Sequence, residues 1–421
     1  MKKPSWRAEE VVAGNGLLHR RVLLGGGLAA AGAGIARGAE IAGENSPEWM
    51  KTPGRGFSAY GMPAKAQEKV QRIFTAAPGR AGTGSSRTPL HLLEGTITPN
   101  GLHFERHHNG IPDIDAGRHE LAIHGMVRRP LAFSVEALLR YPMDTHIRFI
   151  ECPGNSGAFA QAKPVQGTAA ALNGLLSCSE WTGVRLATLL DEAGVDREAS
   201  WVIAEGADAA GMSRSVPLRK CMDDAVIALY QNGEAIRPEQ GYPMRLLLPG
   251  FEGNMNVKWL RRLKVTKAPL DARDETSHYT ELMPDGKARQ YMFLQAVKSA
   301  IIKPSFGMSM KGPGFYEISG LAWSGGGRIR QVEVTADGGR TWAVAALGEP
   351  VLSKALTRFR LPWRWDGRPA VLASRATDET GEVQPTRAAW VSQYAPGVFY
   401  HFTGIQSWGI EADGTVSNVY L

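Results

Sequence analysis

Short runs of strand-forming residues recur at close intervals through the last third of the chain, and this pattern constrains the fold most strongly. The runs lie at residues 318–323, 329–335, 341–346, 357–361 and 370–377. Such spacing is typical of a β-sandwich, and the Asp337-Gly338-Gly339 step between two of the runs is a hairpin turn signal. We therefore predict an immunoglobulin-like β-sandwich over residues 299–421.

The region before the sandwich has a different pattern, in which strand-like and helix-like runs alternate. Strands are favoured at residues 146–151, 201–205 and 244–249, and helices at 134–140 and 185–193. The 49 glycines and 25 prolines are spread along all 421 residues, which favours short elements joined by turns. The predicted fold class is α+β, with a mixed α/β domain followed by the sandwich.

The first 42 residues have the pattern of an export leader. Arg20-Arg21 precedes a mildly apolar, glycine- and alanine-rich run that continues to Ala36. This is typical of a twin-arginine signal peptide, so we predict such a signal over residues 1–42 and a periplasmic location. An amphipathic or disordered leader is the alternative. The run is too short and too weakly apolar to anchor in a bilayer, and no later segment of the sequence is suited to span one.

The cysteine content excludes several kinds of site. Cys152, Cys178 and Cys221 are too few for a disulfide framework, and no two of them form the CxxC pair of a zinc ribbon or a covalent c-type haem. A free thiol in an oxidising compartment is expected to be buried or bound, which is the first hint of a metal. The formal net charge of +7, which falls further without the leader, gives no support to nucleic-acid binding.

Cys152 is the cysteine best placed for chemistry. It follows the strand-like run 146–151 and precedes Pro153-Gly154-Asn155-Ser156, a turn that would hold its sulfur at the rim of a sheet. Taken alone, it could equally be a small buried apolar residue. Upstream, the run Phe104-Glu105-Arg106-His107-His108 offers a cation and two imidazoles to an anionic ligand or a metal centre, although a solvated polar turn has the same composition.

A glycine-rich loop forms the third cluster. Residues 249–254 read Pro-Gly-Phe-Glu-Gly-Asn and lie between Arg245 and Lys258. Glycine backbone flanked by cations is a reasonable phosphate cradle, but surface turns often have this composition. The spacing matches neither the P-loop nor the dinucleotide fingerprint, so no nicotinamide site is indicated.

Taken in this order, the three clusters resemble those of the sulfite oxidase family of molybdenum–pterin enzymes, over roughly residues 90–400. The resemblance implies an extended arm over 43–90, a sulfite-oxidase-type molybdopterin domain over 91–268, a bridge over 269–298, and a dimerisation role for the sandwich. It implies that Cys152 binds molybdenum and that Arg106 lies beside the oxo groups, as the two catalytic residues. The residues that would hold the pterin and its phosphate are Phe104, Glu105, Arg106, His107, His108, Asp208, Gln240, Arg245, Asn256, Val257 and Lys258.

The sequence also departs from many members of that family. Ser156-Gly157 follows the cysteine motif where arginines are often found, and Gln393 stands where another pocket arginine often lies. The resemblance therefore implies a wider, less cationic pocket, suited to a sulfur chain on a carrier protein. These features match the sulfane dehydrogenase (SoxC-type) branch. The tyrosine that often lies near the metal has no secure counterpart, and Tyr279 and Tyr291 are the candidates.

The implied function is periplasmic, molybdenum-dependent oxidation of carrier-bound sulfane sulfur in thiosulfate oxidation. Because the chain has no haem or iron–sulfur motif, electrons would pass to a c-type cytochrome subunit, and a thiol carrier protein would bring the substrate. Oxidation of free sulfite and reduction of oxidised sulfur are alternatives within the family. Outside it, Cys152 could be the nucleophile of a thiol hydrolase or peroxidase with His107 or His108 as base, or the chain could be an exported binding protein.

Overall fold

The structure, a computed structural model, describes residues 11–20 and 47–421, and most of its elements are short strands. In chain order the strands are β1 Val11–Ala13, β2 Leu17–Leu18, β3 Ile73–Ala76, β4 Gly84–Arg87, β5 Glu105–His107, β6 Glu120–Gly125, β7 Leu131–Ser134, β8 Met143–Glu151, β9 Leu176–Arg185, β10 Trp201–Gly206, β11 Ser213–Pro217, β12 Val226–Gln231, β13 Glu234–Ala235, β14 Arg245–Leu247, β15 Leu260–Thr266, β16 Glu281–Leu282, β17 Ala288–Arg289, β18 Lys298–Lys303, β19 Gly314–Trp323, β20 Ile329–Thr335, β21 Ala343–Val344, β22 Ala346–Leu347, β23 Thr357–Trp365, β24 Ala370–Asp378, β25 Ser407–Ile410 and β26 Val416–Val419. The α-helices are α1 Val135–Leu138, α2 Ala169–Asn173, α3 Leu186–Ala193, α4 Leu218–Asp223, α5 Arg273–Thr276 and α6 Arg387–Val391. Single 3-10 turns occupy Gly14–Gly16, Glu48–Met50, Lys65–Gln67, Leu90–Leu92, Asn100–Leu102, Gly157–Ala160, Pro238–Gln240 and Gly253–Met255. The predicted α+β class is confirmed.

Two five-stranded sheets form the body of the region before the sandwich. One has the order β11-β10-β15-β6-β7, and the other is β13-β12-β9-β8 with β14 paired to β12. Burial alternates along β6, so that Leu121 and Ile123 point into a core that Val202 and Leu263 share. Helix α3 presents Leu186, Leu189 and Leu190 to the same core, at the spacing of one helix face.

A third, three-stranded sheet carries part of the site. Strands β3 and β4 pair, and β4 pairs in turn with β5, which aligns Arg106 with Ser85. The sequence predicts an extended arm over 43–90, but the second half of that segment supplies two strands of this sheet. Each strand has only four residues, and β4 reads Gly-Ser-Ser-Arg, so no apolar alternation reveals it.

The C-terminal region is a β-sandwich, and its strands coincide with the runs found in the sequence. One sheet has the order β2-β23-β19-β18 with β22 on β23, and the other is β21-β20-β24-β25-β26. Trp323, Trp363, Phe359 and Trp408 are fully buried between the sheets. The turn after β20 contains Gly338 and Gly339, both with positive φ.

Part of the predicted leader belongs to this sandwich. Strands β1 and β2 precede Arg20, and Leu17 pairs with Trp363 at the edge of β23. Leu17 and Leu18 are buried, and the Trp363 indole donates to the carbonyl of Asn15 at 2.6 Å. The rest of the leader prediction, including Arg21 and the apolar run to residue 36, lies outside the described residues. No helix within residues 11–20 and 47–421 has the length and apolar character needed to cross a bilayer.

Candidate active site

A cleft of about 690 Å³ opens where β5, the turn after β8 and the loop after β14 meet. Every residue that the sequence assigns to the site lines this cleft, with the exception of Glu105. Glu105 lies one layer behind, where its carboxylate accepts from Nε2 of His107 at 2.8 Å and pairs with Arg72. Three motifs that lie between residues 104 and 258 of the sequence thus meet at one place.

Cys152 reaches the cleft because β8 ends immediately before it. Glu151 is the last residue of β8 paired with β9, and the Cys152 amide then donates to the carbonyl of Leu175 at 3.0 Å. Burial raises the pKa of the Cys152 thiol, although the Gly154 amide and Arg106 oppose the shift. Without a metal, this sulfur stays protonated near neutral pH, whereas coordination would make it a thiolate.

The two histidines near the cleft are occupied by other partners. Nδ1 of His107 accepts from Lys258 at 2.9 Å and its Nε2 bonds to Glu105, while Nε2 of His108 lies 3.2 Å from the Tyr279 hydroxyl. Burial lowers the pKa of His108 to about 4. Within the described residues, neither ring forms a hydrogen bond with Cys152, so the arrangement lacks the paired thiol and base of a cysteine hydrolase.

Buried cations line the far side of the cleft. Arg245 is 3% exposed and bonds to the carbonyls of Gln240 and Asn256, both at 3.0 Å, while Lys258 bonds to the carbonyls of Arg106 and Glu239. These acceptors are uncharged, and Nε of Arg245 has no partner. Burial lowers the pKa of Arg245 to about 9, and burial together with repulsion from Arg245 lowers that of Lys258.

The Glu105 and Asp208 carboxylates attract Lys258, whereas Arg245 is buried with only uncharged partners. A buried guanidinium without a carboxylate is costly unless an anion binds beside it. The residues present therefore fit a group that carries a phosphate, and Arg245 Nε offers it an unused donor. The described residues contain no cluster of three or more His, Cys, Asp or Glu suited to a metal ion. A metal in this cleft would need most of its ligands from a cofactor, with Cys152 as the protein ligand.

The structure distinguishes the two tyrosine candidates. Tyr279 lines the cleft and is 5% exposed, with φ of 41°, and burial raises the pKa of its phenol. Tyr291 lies elsewhere, stacked on Phe293 with its hydroxyl 3.5 Å from Glu275. Both belong to the same bridge, and the sequence contains no signal that separates them.

Further cleft residues were not among the predicted site residues. They are His103, Ile150, Met212, Gly253, Asn254 and Trp259. Gly253 and Asn254 belong to the glycine-rich loop, so the loop itself was the signal. An added Cβ at Gly253 would lie 2.7 Å from the carbonyl oxygen of Glu151 and 3.2 Å from Cα of Cys152, which explains why glycine occupies this position. Met212 and Ile150 carry no chemical signature in the sequence.

Comparison with known proteins agrees with this geometry. Residues 108–273 match the oxidoreductase molybdopterin binding domain, and residues 289–402 match the Mo-co oxidoreductase dimerisation domain. Chicken sulfite oxidase (Gallus gallus) is 30% identical over 348 residues, which cover 76% of this chain and 72% of that protein. Human mitochondrial sulfite oxidase is 31% identical over 76% of this chain, which spans about three fifths (61%) of the human protein.

A solved structure shows the likeness over nearly the whole chain. The crystal structure of the sulfane dehydrogenase SoxCD from Paracoccus pantotrophus has 44% sequence identity and a TM-score of 0.86, covering 89% of this chain and 97% of that chain. These matches agree with the order of the cofactor-type motifs in the sequence and with their convergence on one cleft. The chain belongs to the sulfite oxidase family, and it is a molybdenum–pterin oxidoreductase that acts on sulfur compounds.

Proposed function

We propose that this protein is the catalytic subunit of a periplasmic sulfane dehydrogenase, which oxidises sulfane sulfur bound to a carrier protein in thiosulfate oxidation. The observation that carries the proposal is the charge of the cleft. Of the three arginine and lysine side chains that line it in the described part of the chain, we assign Arg245 and Lys258 to the phosphate of the cofactor, which leaves Arg106 for the substrate. One cation suits a tethered sulfur chain better than a free dianion such as sulfite.

The positions that differ from many sulfite oxidases add no charge to the cleft. Ser156 is buried and bonds to Asn173 and to Nζ of Lys298 at 2.8 Å. Gln393 is exposed, and its amide donates to the Ala389 carbonyl at 3.2 Å. Neither residue lines the cleft.

The residues of the cleft divide the work of the proposed reaction. Bound there, a molybdenum–pterin supplies the oxygen transfer and the two-electron oxidation. Cys152 would hold the metal as a thiolate, and Arg245 and Lys258 would hold the anionic end of the cofactor. Arg106 stabilises the negative charge that grows on oxygen and sulfur during transfer, which is where a preorganised cation contributes most.

Partners follow from the same proposal. Electrons leave singly to a c-type cytochrome subunit, and two copies of the chain associate through residues 289–402, which match a dimerisation domain.

A basic run of the sandwich could contact a partner, and it consists of Arg358, Arg360, Arg364 and Arg368. Arg358 is not available to a partner, because it is 5% exposed and bonds to the carbonyls of Leu93 and Gly95.

The test is molybdenum analysis of the exported protein and of its Cys152→Ser variant, combined with cytochrome c reduction. We expect about one molybdenum per chain, faster reduction with sulfane-loaded carrier than with sulfite, and loss of activity in the variant. Cys178→Ala is the matched control, because Cys178 is fully buried and outside the cleft. Faster turnover of sulfite would favour the sulfite dehydrogenase alternative, and protein without molybdenum would refute the cofactor assignment.

A further inference from the structure

Behind the cleft, His401 joins three segments that are far apart in the chain. Its ring is 3% exposed. Nε2 donates to Glu252 at 2.9 Å, and Nδ1 bonds to Glu281, the first residue of β16 in the bridge. The His401 amide donates to the carbonyl of Pro153 at 2.8 Å, directly after Cys152. We call the segment between α6 and β25, residues 392–406, the C-terminal tail. One residue of this tail therefore holds the glycine-rich loop, the bridge and the turn after Cys152.

Glu252 transmits this contact to the wall of the cleft. Oε2 of Glu252, which accepts from His401, also accepts from the side-chain amide of Asn254 at 2.8 Å. Asn254 lines the cleft, and its Oδ1 is buried without a partner, so this oxygen remains available to a bound group. Gly253 between them packs on the Cys152 backbone. A displacement of Glu252 would therefore move both the Asn254 amide and the surroundings of the cysteine.

The charges around His401 favour its doubly donating form. Burial alone would lower its pKa, but Glu252 and Glu281 outweigh burial and raise the pKa to about 9. On its other side, Glu252 accepts from Arg214 at 3.3 Å, and Arg214 also lies 3.7 Å from Glu275. His401 adopts φ of 54°, a backbone conformation that is unfavourable for a residue with a side chain and persists where its surroundings fix it.

We propose that His401 is a positioning residue of the reaction site, which fixes the Asn254 amide through Glu252 and so sets how a sulfur substrate approaches the group held by Cys152. This inference rests on the proposed function and adds to it a residue of the C-terminal tail. The competing role is structural, in which the buried ion pairs stabilise the fold and leave the cleft unaffected. The two roles differ in a variant that lacks both His401 and the Glu281 carboxylate. Such a variant has no unpaired buried carboxylate at position 281, so its stability should recover, but the bond from His401 to Glu252 is still missing.

Two variants separate these roles. His401→Leu removes both donors and leaves the Glu281 carboxylate buried without its cation, so this variant should be less stable than the wild type. His401→Leu/Glu281→Leu replaces the pair with apolar side chains, which should recover most of the stability. His119→Leu is the matched control, since His119 is a buried histidine that bonds to the Leu260 carbonyl, away from the cleft.

The measurements are molybdenum content, thermal midpoint, kcat and KM, and the electron paramagnetic resonance signal of Mo(V) after chemical reduction. Both His401 variants should retain molybdenum but show kcat lowered about 10- to 100-fold and an altered Mo(V) signal, as expected when a residue supporting a metal site is lost. The double variant should show these defects at near wild-type stability. The control should keep the wild-type rate and signal.

Recovery of rate and Mo(V) signal together with stability in the double variant would overturn the inference and make His401 purely structural. Glu281→Gln provides a further check, because it leaves the bonds of His401 to Glu252 and Pro153 in place and should keep the wild-type signal; a signal altered as in His401→Leu would also overturn the inference. The signal is produced by a chemical reductant, so it does not depend on which sulfur substrate is natural. Wild-type protein without molybdenum would instead refute the proposed function.

Discussion

Replacing Lys298 with methionine tests how the strand end that carries Cys152 is joined to the sandwich. Lys298 begins β18, is almost fully buried, and donates to Glu151 at 2.9 Å and to Ser156 at 2.8 Å. Glu151 immediately precedes Cys152 and also accepts from the indole of Trp323 at 2.7 Å and from the amide of Asn155 at 2.9 Å. A carboxylate of the catalytic region is therefore held by donors from both domains.

Removal of one partner from a buried ion pair typically costs 3 to 5 kcal/mol, since it leaves a charge uncompensated. Because Glu151 keeps two hydrogen-bond donors after Lys298→Met, we expect the lower end, about 3 kcal/mol of unfolding free energy. In Lys298→Met/Glu151→Gln the remaining charge is gone and the amide oxygen still accepts from Trp323, but the amide nitrogen then faces the donating side-chain amide of Asn155. This double variant should be more stable than Lys298→Met and should lie about 1 to 2 kcal/mol below the wild type, because one hydrogen bond of Asn155 is lost.

Urea unfolding followed by tryptophan fluorescence measures both values, because Trp323 is part of the contact. Molybdenum content of each variant reports whether Cys152 is still placed to bind. The reasoning would be refuted by a single variant as stable as the wild type, or by a double variant no more stable than the single one. In either case the ion pair would not be the contact that joins the two regions.

Four further predictions concern charge at the site and the leader. Arg106→Gln should keep its molybdenum, but its kcat measured by cytochrome c reduction should be about 100-fold lower or more, because a preorganised cation is lost. Lys258→Met should lose molybdenum, because a cation that binds the anionic cofactor is gone. The raised pKa of His401 means that its stabilising effect is complete below pH 6.5 and is lost as the pH rises through about 9. The unfolding free energy measured between these two pH values should therefore fall by about 1.4 kcal/mol per pH unit. This slope should disappear in His401→Leu. In precursor protein that keeps its leader, Leu17→Asp should release residues 11–18 from the sandwich, seen as faster proteolysis of that segment, with Val11→Asp as an exposed control that leaves it docked.

The sequence was sufficient to predict most of the cleft because the chemistry is concentrated in short motifs. Arg106, Cys152 and Lys258 each lie in a run of a few residues whose composition indicates an anion or metal site, and all three line the cleft. The sandwich was predictable for a similar reason, since its strands alternate with turn residues and two glycines with positive φ lie at the predicted hairpin.

Long-range contacts were not predictable in this way. His401 bonds to residues 120 and 149 positions earlier in the chain, and nothing around it in the sequence marks those partners. Tyr279 and Tyr291 lie in one bridge, and only packing decides which of them reaches the cleft. Leu17 is buried by pairing with Trp363, a contact that the composition of a leader does not indicate.

Three consecutive residues show why the cleft depends on the whole chain. Glu151 is held by Lys298 and Trp323 of the sandwich, Cys152 faces the cleft, and the Pro153 carbonyl accepts from His401 of the tail. Cys152 thus lies between two residues that are both held by the C-terminal part of the chain. A catalytic region separated from the sandwich would keep the Glu151 charge without its cation and would lose the contact that fixes the cysteine turn. The dimerisation domain is therefore a structural part of the reaction site.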